Sequence, residues 1–368
     1  MWHQWPEKAI SQFTETNLPG MDSKTPRPAP HRAVTLRDVA AAAGVSVATA
    51  SKALNDQGRM AEETRARVQQ TAKALAFRPN GLAQSLSRRR SFTVGLLTND
   101  TYGRFTLPVM SGISDALVDN GVSVFLCNIE DDPALAQTHV DAMLEKRVDG
   151  IIASGKRIDR RLPVDLSGLG IPVIYAFSEP DPESIGFVSD DEGGARLAVE
   201  HLIRLGRRRI AHVTGPSSFR VVHQRAAAYR DALRAAELAE PEQGVLVGHW
   251  SEAWGHEAAG YLFDGIGSPP DAVFCGSDQI ARGVVDALRE RGRRVPDDVA
   301  VIGFDNWEIV AAATRPPLTT VDMNLKALGR EAGLTLLQLV DRQPIEPGIR
   351  KLPCRLLVRQ SCGAPPAG

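Results

Sequence analysis

A chain of 368 residues, 43% hydrophobic but only 5% aromatic, has aliphatic material for more than one core, so a small module joined to a larger α/β body is expected. No apolar run approaches a membrane span, the first residues lack a basic start followed by an apolar stretch, and Cys127, Cys275, Cys354 and Cys362 form neither a C-x-x-C pair nor a metal-ligand spacing with histidine; membrane insertion, export, disulfides and a metal site are not expected. The net charge of −1 is unevenly spread: residues 31–91 carry eleven Lys/Arg against four acids, a net +7 that leaves −8 elsewhere, the pattern of a phosphate-binding head on an acidic body or, on charge alone, of a solvated basic surface.

Residues 1–33 mix Trp, Pro and polar residues without apolar periodicity and are expected to be a disordered extension, with Met21 a second candidate start. Order begins at Val34. Thr35 with Asp38 three residues on forms a near capping box, and Leu36, Val39, Ala40 and Ala43 give the first helix one apolar face. Gly44 supplies a turn, and Ser46 caps a second short helix that runs through Leu54. A third helix over about 61–76 has Val68, Ala72, Leu75 and Ala76 as its inner face, and Pro79 stops it. Residues 80–87 are short and weakly amphipathic, a helix too brief to form without a partner. Residues 34–78 and 79–91 are therefore expected to be a helical headpiece and a hinge with its linker.

From Phe92 aliphatic strands alternate with longer helices. Strands are expected at 93–97, 122–127, 150–153, 173–176, 210–213, 245–247, 272–275 and 299–303, with helical spacing over 109–120, 135–147, 195–205, 225–236 and 279–291. The alternation predicts an α/β body over 92–362 of two parallel sheets covered by helices, followed by a disordered tail over 363–368. Two comparable series predict a cleft between two lobes, where ligands sit at the carboxyl ends of strands. There is no G-x-S-x-G elbow, no G-x-G-x-x-G after a strand and no phosphate loop, and His249 and His256 around Trp254 have no ordered partners, so an enzyme is not expected. Asp278 is expected to cap the helix beginning near Gln279.

The segments Val34-Thr35-Leu36-Arg37-Asp38-Val39-Ala40 and Gly44-Val45-Ser46-Val47-Ala48-Thr49-Ala50-Ser51-Lys52-Ala53-Leu54-Asn55 resemble the headpiece of LacI-type repressors, the lactose and purine repressor family. The resemblance continues through Arg78-Pro79-Asn80, Leu82-Ala83-Gln84-Ser85-Leu86, Ser277-Asp278-Gln279-Ile280-Ala281, Gly303-Phe304-Asp305-Asn306 and Arg315-Pro316-Pro317-Leu318-Thr319-Thr320-Val321, nearly everything after Val34. It implies a helix-turn-helix headpiece and a periplasmic-binding-protein-like sensor with chain crossings near Ser189, 321–324 and Ile349. It also implies a ligand-controlled repressor that binds a near-palindromic operator as a homodimer or tetramer, without a cofactor. Val47, Ala48 and Lys52 would face base edges, with Thr35, Ser46, Thr49, Ser51 and Asn55 around them. In the hinge, paired helices from two subunits would enter the minor groove and Leu86 would wedge into a base step, with Asn80, Ala83 and Arg88 also among the expected DNA-binding residues; Arg88 to Arg90 are read either near phosphates or as a solvated linker. In the cleft, Arg225, Ser277 and Asp305 would bond a polyol, with Trp250 stacking on it and Phe105 facing it from the other lobe.

Overall fold

The computed structural model describes residues 34–55, 57–77, 90–265 and 268–365, and the chain divides into two compact units, Met1–Ala83 and Gln84–Gly368. The expectations for residues 1–33, 78–89 and 366–368, the extension, the hinge helix and the end of the tail, lie outside the described residues.

The first unit holds α1 (Leu36–Ala42), α2 (Val47–Leu54) and α3 (Glu62–Ala74). Thr35 N donates to Asp38 Oδ2 at 2.8 Å while Asp38 N donates to Thr35 Oγ1 at 3.4 Å, so the capping box closes from both sides. Gly44 turns the chain at φ +66°, a conformation a side chain would strain. Ser46 Oγ then accepts from Thr49 N at 3.1 Å to start α2. Val39, Ala40, Ala43, Ala50, Ala53, Val68 and Ala72 form the core. Leu75 and Ala76, expected on the inner face of the third helix, are instead exposed. The helix stops at Ala74 and Ala76 turns to φ +49°, so Phe77 packs against the core in their place.

The second unit contains β1 (Thr93–Thr98), α4 (Thr106–Leu117), β2 (Ser123–Asn128), α5 (Pro133–Glu145), β3 (Gly150–Ser154), β4 (Val173–Ala176), β5 (Ile185–Ser189), α6 (Asp191–Arg204), β6 (Ile210–Thr214), α7 (Arg220–Ala235), β7 (Val245–Val247), α8 (Glu252–Phe263), β8 (Ala272–Cys275), α9 (Asp278–Glu290), β9 (Ala300–Asp305), α10 (Glu308–Ala311), β10 (Thr319–Asp322), α11 (Leu325–Val340), β11 (Gly348–Leu352) and β12 (Arg355–Leu357). One six-stranded sheet has the order β11-β5-β4-β3-β1-β2, the other β12-β10-β9-β8-β6-β7. Neighbouring strands are parallel except β10 with β12. Both sheets are doubly wound, and the strand order reverses at β1/β3 in one and β6/β8 in the other.

The chain passes between the lobes three times, and the crossing segments bond one another. Ser189 Oγ donates to Met323 O at 2.8 Å, Asp190 N donates to Leu352 O at 2.8 Å, and Cys354 Sγ donates to Asp190 O at 3.3 Å. α11 follows the second crossing and packs back on β3, β4, β5 and α4, so Leu328, Ala332 and Leu336 complete the first lobe's core. All four cysteines are free and buried.

Candidate functional site

In the first unit the exposed side of α2 carries Val47, Ala48 and, one turn on, Lys52. Val47 is 43% exposed although it sits at the start of a helix whose Ala50 and Ala53 are fully buried. It therefore contributes nothing to the core and presents an apolar surface of the kind that packs on thymine methyls in a major groove. The other residues expected at the DNA have structural work as well. Thr35 and Ser46 are caps, Ser46 Oγ also lies 2.8 Å from Thr49 Oγ1, Ser51 O accepts from Asn55 Nδ2 at 2.8 Å, and Thr49, Ser51 and Asn55 are half-buried. Asn80, Ala83, Leu86 and Arg88 lie outside the described residues.

In the second unit a space of about 560 Å³, counted with the solvent at its open side, lies between the lobes. Its walls come from the loops at the carboxyl ends of strands on both sides of the two switch points. Arg104 and Phe105 follow β1, Lys156 to Asp159 follow β3, Phe219 follows β6, Gly276 and Ser277 follow β8, and Asp305 ends β9. The five residues carried over to the cleft, Phe105, Arg225, Trp250, Ser277 and Asp305, all line this space.

Aromatic rings dominate it. Phe105 stacks on Phe177 with centroids 4.9 Å apart, and Phe219 meets Trp250 edge-on at 5.6 Å, so each lobe offers a ring pair. Trp250 lies directly on Gly215, where a Cβ would come within 2.2 Å of the indole, so a larger residue there would push the ring into the cavity. Phe177 and Phe219 were not identified from sequence; their position just after β4 and β6 is the signal that would have found them.

Arg225 is 4% exposed and largely committed to the protein. Its Nε and Nη2 donate to Asp191 Oδ1 at 2.8 and 2.5 Å, its Nη1 donates to Gly276 O at 2.6 Å, and its guanidinium lies over Phe304. Three of five donors are used, leaving two for a ligand. Burial holds the Asp191 carboxyl above its usual pKa, and Arg225 opposes that shift.

Ser277, not Asp278, caps α9: its Oγ accepts from Ile280 N at 3.3 Å. Asp278 is instead the first helical residue, fully buried, and its carboxylate accepts from Trp307 N at 2.7 Å and Thr320 Oγ1 at 2.5 Å. Burial, and then the charge of Asp305, push its pKa up to about 8. Asp305 stands at φ +109°, a costly backbone for a residue with a Cβ. Burial raises its pKa as well, against the pull of Arg104 and Arg225. Arg104, also missed in the sequence, reaches from the first lobe to ion-pair with Asp305 in the second.

Among the described residues no group of three or more His, Cys, Asp or Glu is placed to hold a metal ion, and no helix is long and apolar enough to cross a membrane.

Comparison with known proteins matches residues 35–80 to the lacI family of bacterial regulatory proteins and residues 199–362 to the periplasmic binding protein-like domain. The HTH-type transcriptional repressor CytR of Escherichia coli strain K12 is 31% identical over 339 residues, 91% of this chain and 98% of that protein. The lac repressor dimer bound to operator and the anti-inducer ONPF shares the fold at a TM-score of 0.68 with 28% identity, covering 90% of this chain and 100% of that one. The regulator CelR, solved as a cellobiose complex, aligns at a TM-score of 0.62 with 30% identity, covering 89% and 99%.

Proposed function

Since the chain belongs to the LacI family of bacterial regulatory proteins, we propose that it is a cytoplasmic repressor that binds a near-palindromic operator as a homodimer and responds to a carbohydrate. It is a DNA-binding transcriptional regulator controlled by a small molecule, not an enzyme. Val47, Ala48 and Lys52 read the major groove, and Asn80 to Arg88 serve the minor groove through Leu86. One small headpiece holds few base contacts, whereas two related by symmetry bind two half-sites at fixed spacing. A relative solved with operator as a dimer supports this arrangement.

The observation that carries the sensing role is the cavity at both switch points, where ring pairs from each lobe surround Arg225, Ser277 and Asp305. Rings that stack on sugar faces, together with a guanidinium and a carboxylate that bond neighbouring hydroxyls, suit a polyol. The cellobiose complex of a relative supports the same class. A ligand changes operator affinity only by its differential affinity for two arrangements of the sensor.

A thermal-shift screen of the full chain against neutral sugars, sugar acids and sugar phosphates tests the reading. At least one is expected to raise the melting temperature, and the shift is expected to vanish in Asp305→Ala while operator binding survives. A shift that persists in Asp305→Ala would remove Asp305 from the effector site.

A further inference from the structure

Between the lobes Arg104 behaves as a ligand of its own protein. It projects from the loop after β1 in the first lobe, yet nearly every group it touches belongs to the second. Its Nη2 donates to Asp305 Oδ2, its Nη1 donates to Gln279 Oε1 at 2.9 Å, and its guanidinium lies 4.9 Å from the centre of the Trp307 ring. From its own side its neighbour Phe105 contributes, with the guanidinium 5.1 Å from the ring centre. The two side chains of the ion pair are 15% and 6% exposed, so solvent screens them little.

Two features distinguish this contact from a permanent strut. Arg104 Nε is buried and has no protein hydrogen-bond partner among the described residues, so the protein itself does not fully satisfy this guanidinium. The pair is moreover a partition. Arg104, Phe105, Asp305 and Met323 line both the inner cavity and a second, outer space of about 1420 Å³ that continues past Trp307, Ile309 and Lys326. Arg104 and Asp305 thus stand where the two spaces meet.

We propose that Arg104 is the internal occupant and gate of the effector site: in the empty protein it fills the place at Asp305 that the effector takes, holds the lobes together and must be exchanged before the effector enters. The exchange rests on the carbohydrate reading above; the gate itself concerns the empty protein alone. It also selects chemistry. A hydroxyl can donate to Asp305 while its oxygen accepts from the guanidinium, so a polyol entering between the two satisfies both charges and keeps the lobes bridged. An amine would leave Arg104 unpaired, and an anion would leave Asp305 unpaired.

The experiment is a distance measurement between spin labels on full-length, ligand-free protein carrying Glu145→Cys on α5 and Ala239→Cys after α7, both exposed positions on different lobes. The four native thiols are buried and do not compete for label. The parent protein is expected to show one closed distance. R104A is expected to raise the ratio of open to closed molecules about tenfold. D305N, close in shape to the native residue, is expected to do the same, and R104A/D305N to add nothing further, because each removes one contact. A parent already open, an unchanged distribution in R104A, or fully additive single effects would each overturn the gate. If the gate holds and no sugar shifts the melting temperature, the carbohydrate reading fails and Arg104 keeps its role.

Discussion

The two units place their working groups in opposite ways. In the headpiece the core is seven small aliphatic residues, and Val47, Ala48 and Lys52, proposed to face DNA, stand outside it on the exposed side of α2. In the sensor the cleft groups are charged and shielded from solvent: Arg225 with Asp191 and Asp278 are buried, and the Arg104–Asp305 pair is nearly so. Burying ions costs several kcal/mol each unless partners compensate. Changes at the exposed Val47, Ala48 and Lys52 are therefore expected to spare the headpiece's stability, whereas changes at the sensor's cleft charges are expected to alter its fold energetics.

Asp191→Ala presses this contrast hardest. It strands Arg225 without its carboxylate and is expected to cost the sensor about 3–5 kcal/mol in denaturant unfolding. A loss within experimental error would show that the cleft charges are not structural.

His212 follows. It is fully buried, stacked 4.6 Å from Phe274, and its Nδ1 donates to Phe274 O at 2.9 Å. Burial pushes its pKa down to about 4 from an ordinary 6.5. The unfolded chain therefore takes up this proton first as pH falls. The stabilising contribution is complete above pH 6.5 and is lost on the way down to about pH 4. Across that window the protein is expected to lose about 3 kcal/mol relative to His212→Phe, measured as the difference between their stabilities at each pH. A constant difference would mean that water reaches the ring.

Lys52→Ala examines the opposite side of the contrast. Operator affinity is expected to fall about tenfold, with the headpiece melting temperature unchanged; a lower melting temperature would mean that Lys52 supports the fold. The smallest effect is expected from Thr35→Ala, about 1 kcal/mol of headpiece stability through the lost cap, measured by thermal unfolding.

This difference in placement also explains how much could be read from the chain. The headpiece encodes its caps and turn within some twenty positions, so Thr35, Gly44 and Ser46 were legible locally, while Lys52 was placed by resemblance. Its one error came at the end of α3, where Leu75 fits the helical period but the helix has already stopped. In the sensor, eight strands were visible as aliphatic runs, while β5, β10, β11 and β12 were not assigned as strands. β11, Gly-Ile-Arg-Lys-Leu, is an edge strand with exposed positions and gives a weak apolar signal. The cavity gathers loops more than two hundred residues apart, from Arg104 to Met323. Motif resemblance supplied five of its residues, but nothing local marks Arg104 as the partner of Asp305, because that pairing exists only once two lobes have folded against each other.

The route of the chain between the lobes bears on synthesis. The headpiece has all its core residues once Phe77 has emerged, and can fold while the ribosome is still making the sensor. The first lobe has no such head start. Its core awaits Leu328, Ala332 and Leu336, and its edge strand is Gly348–Leu352. A transcript cut short before α11 would therefore yield a finished DNA-binding head joined to a lobe with an open core, a species able to reach DNA but deaf to any effector, and one that cellular proteolysis would have reason to remove.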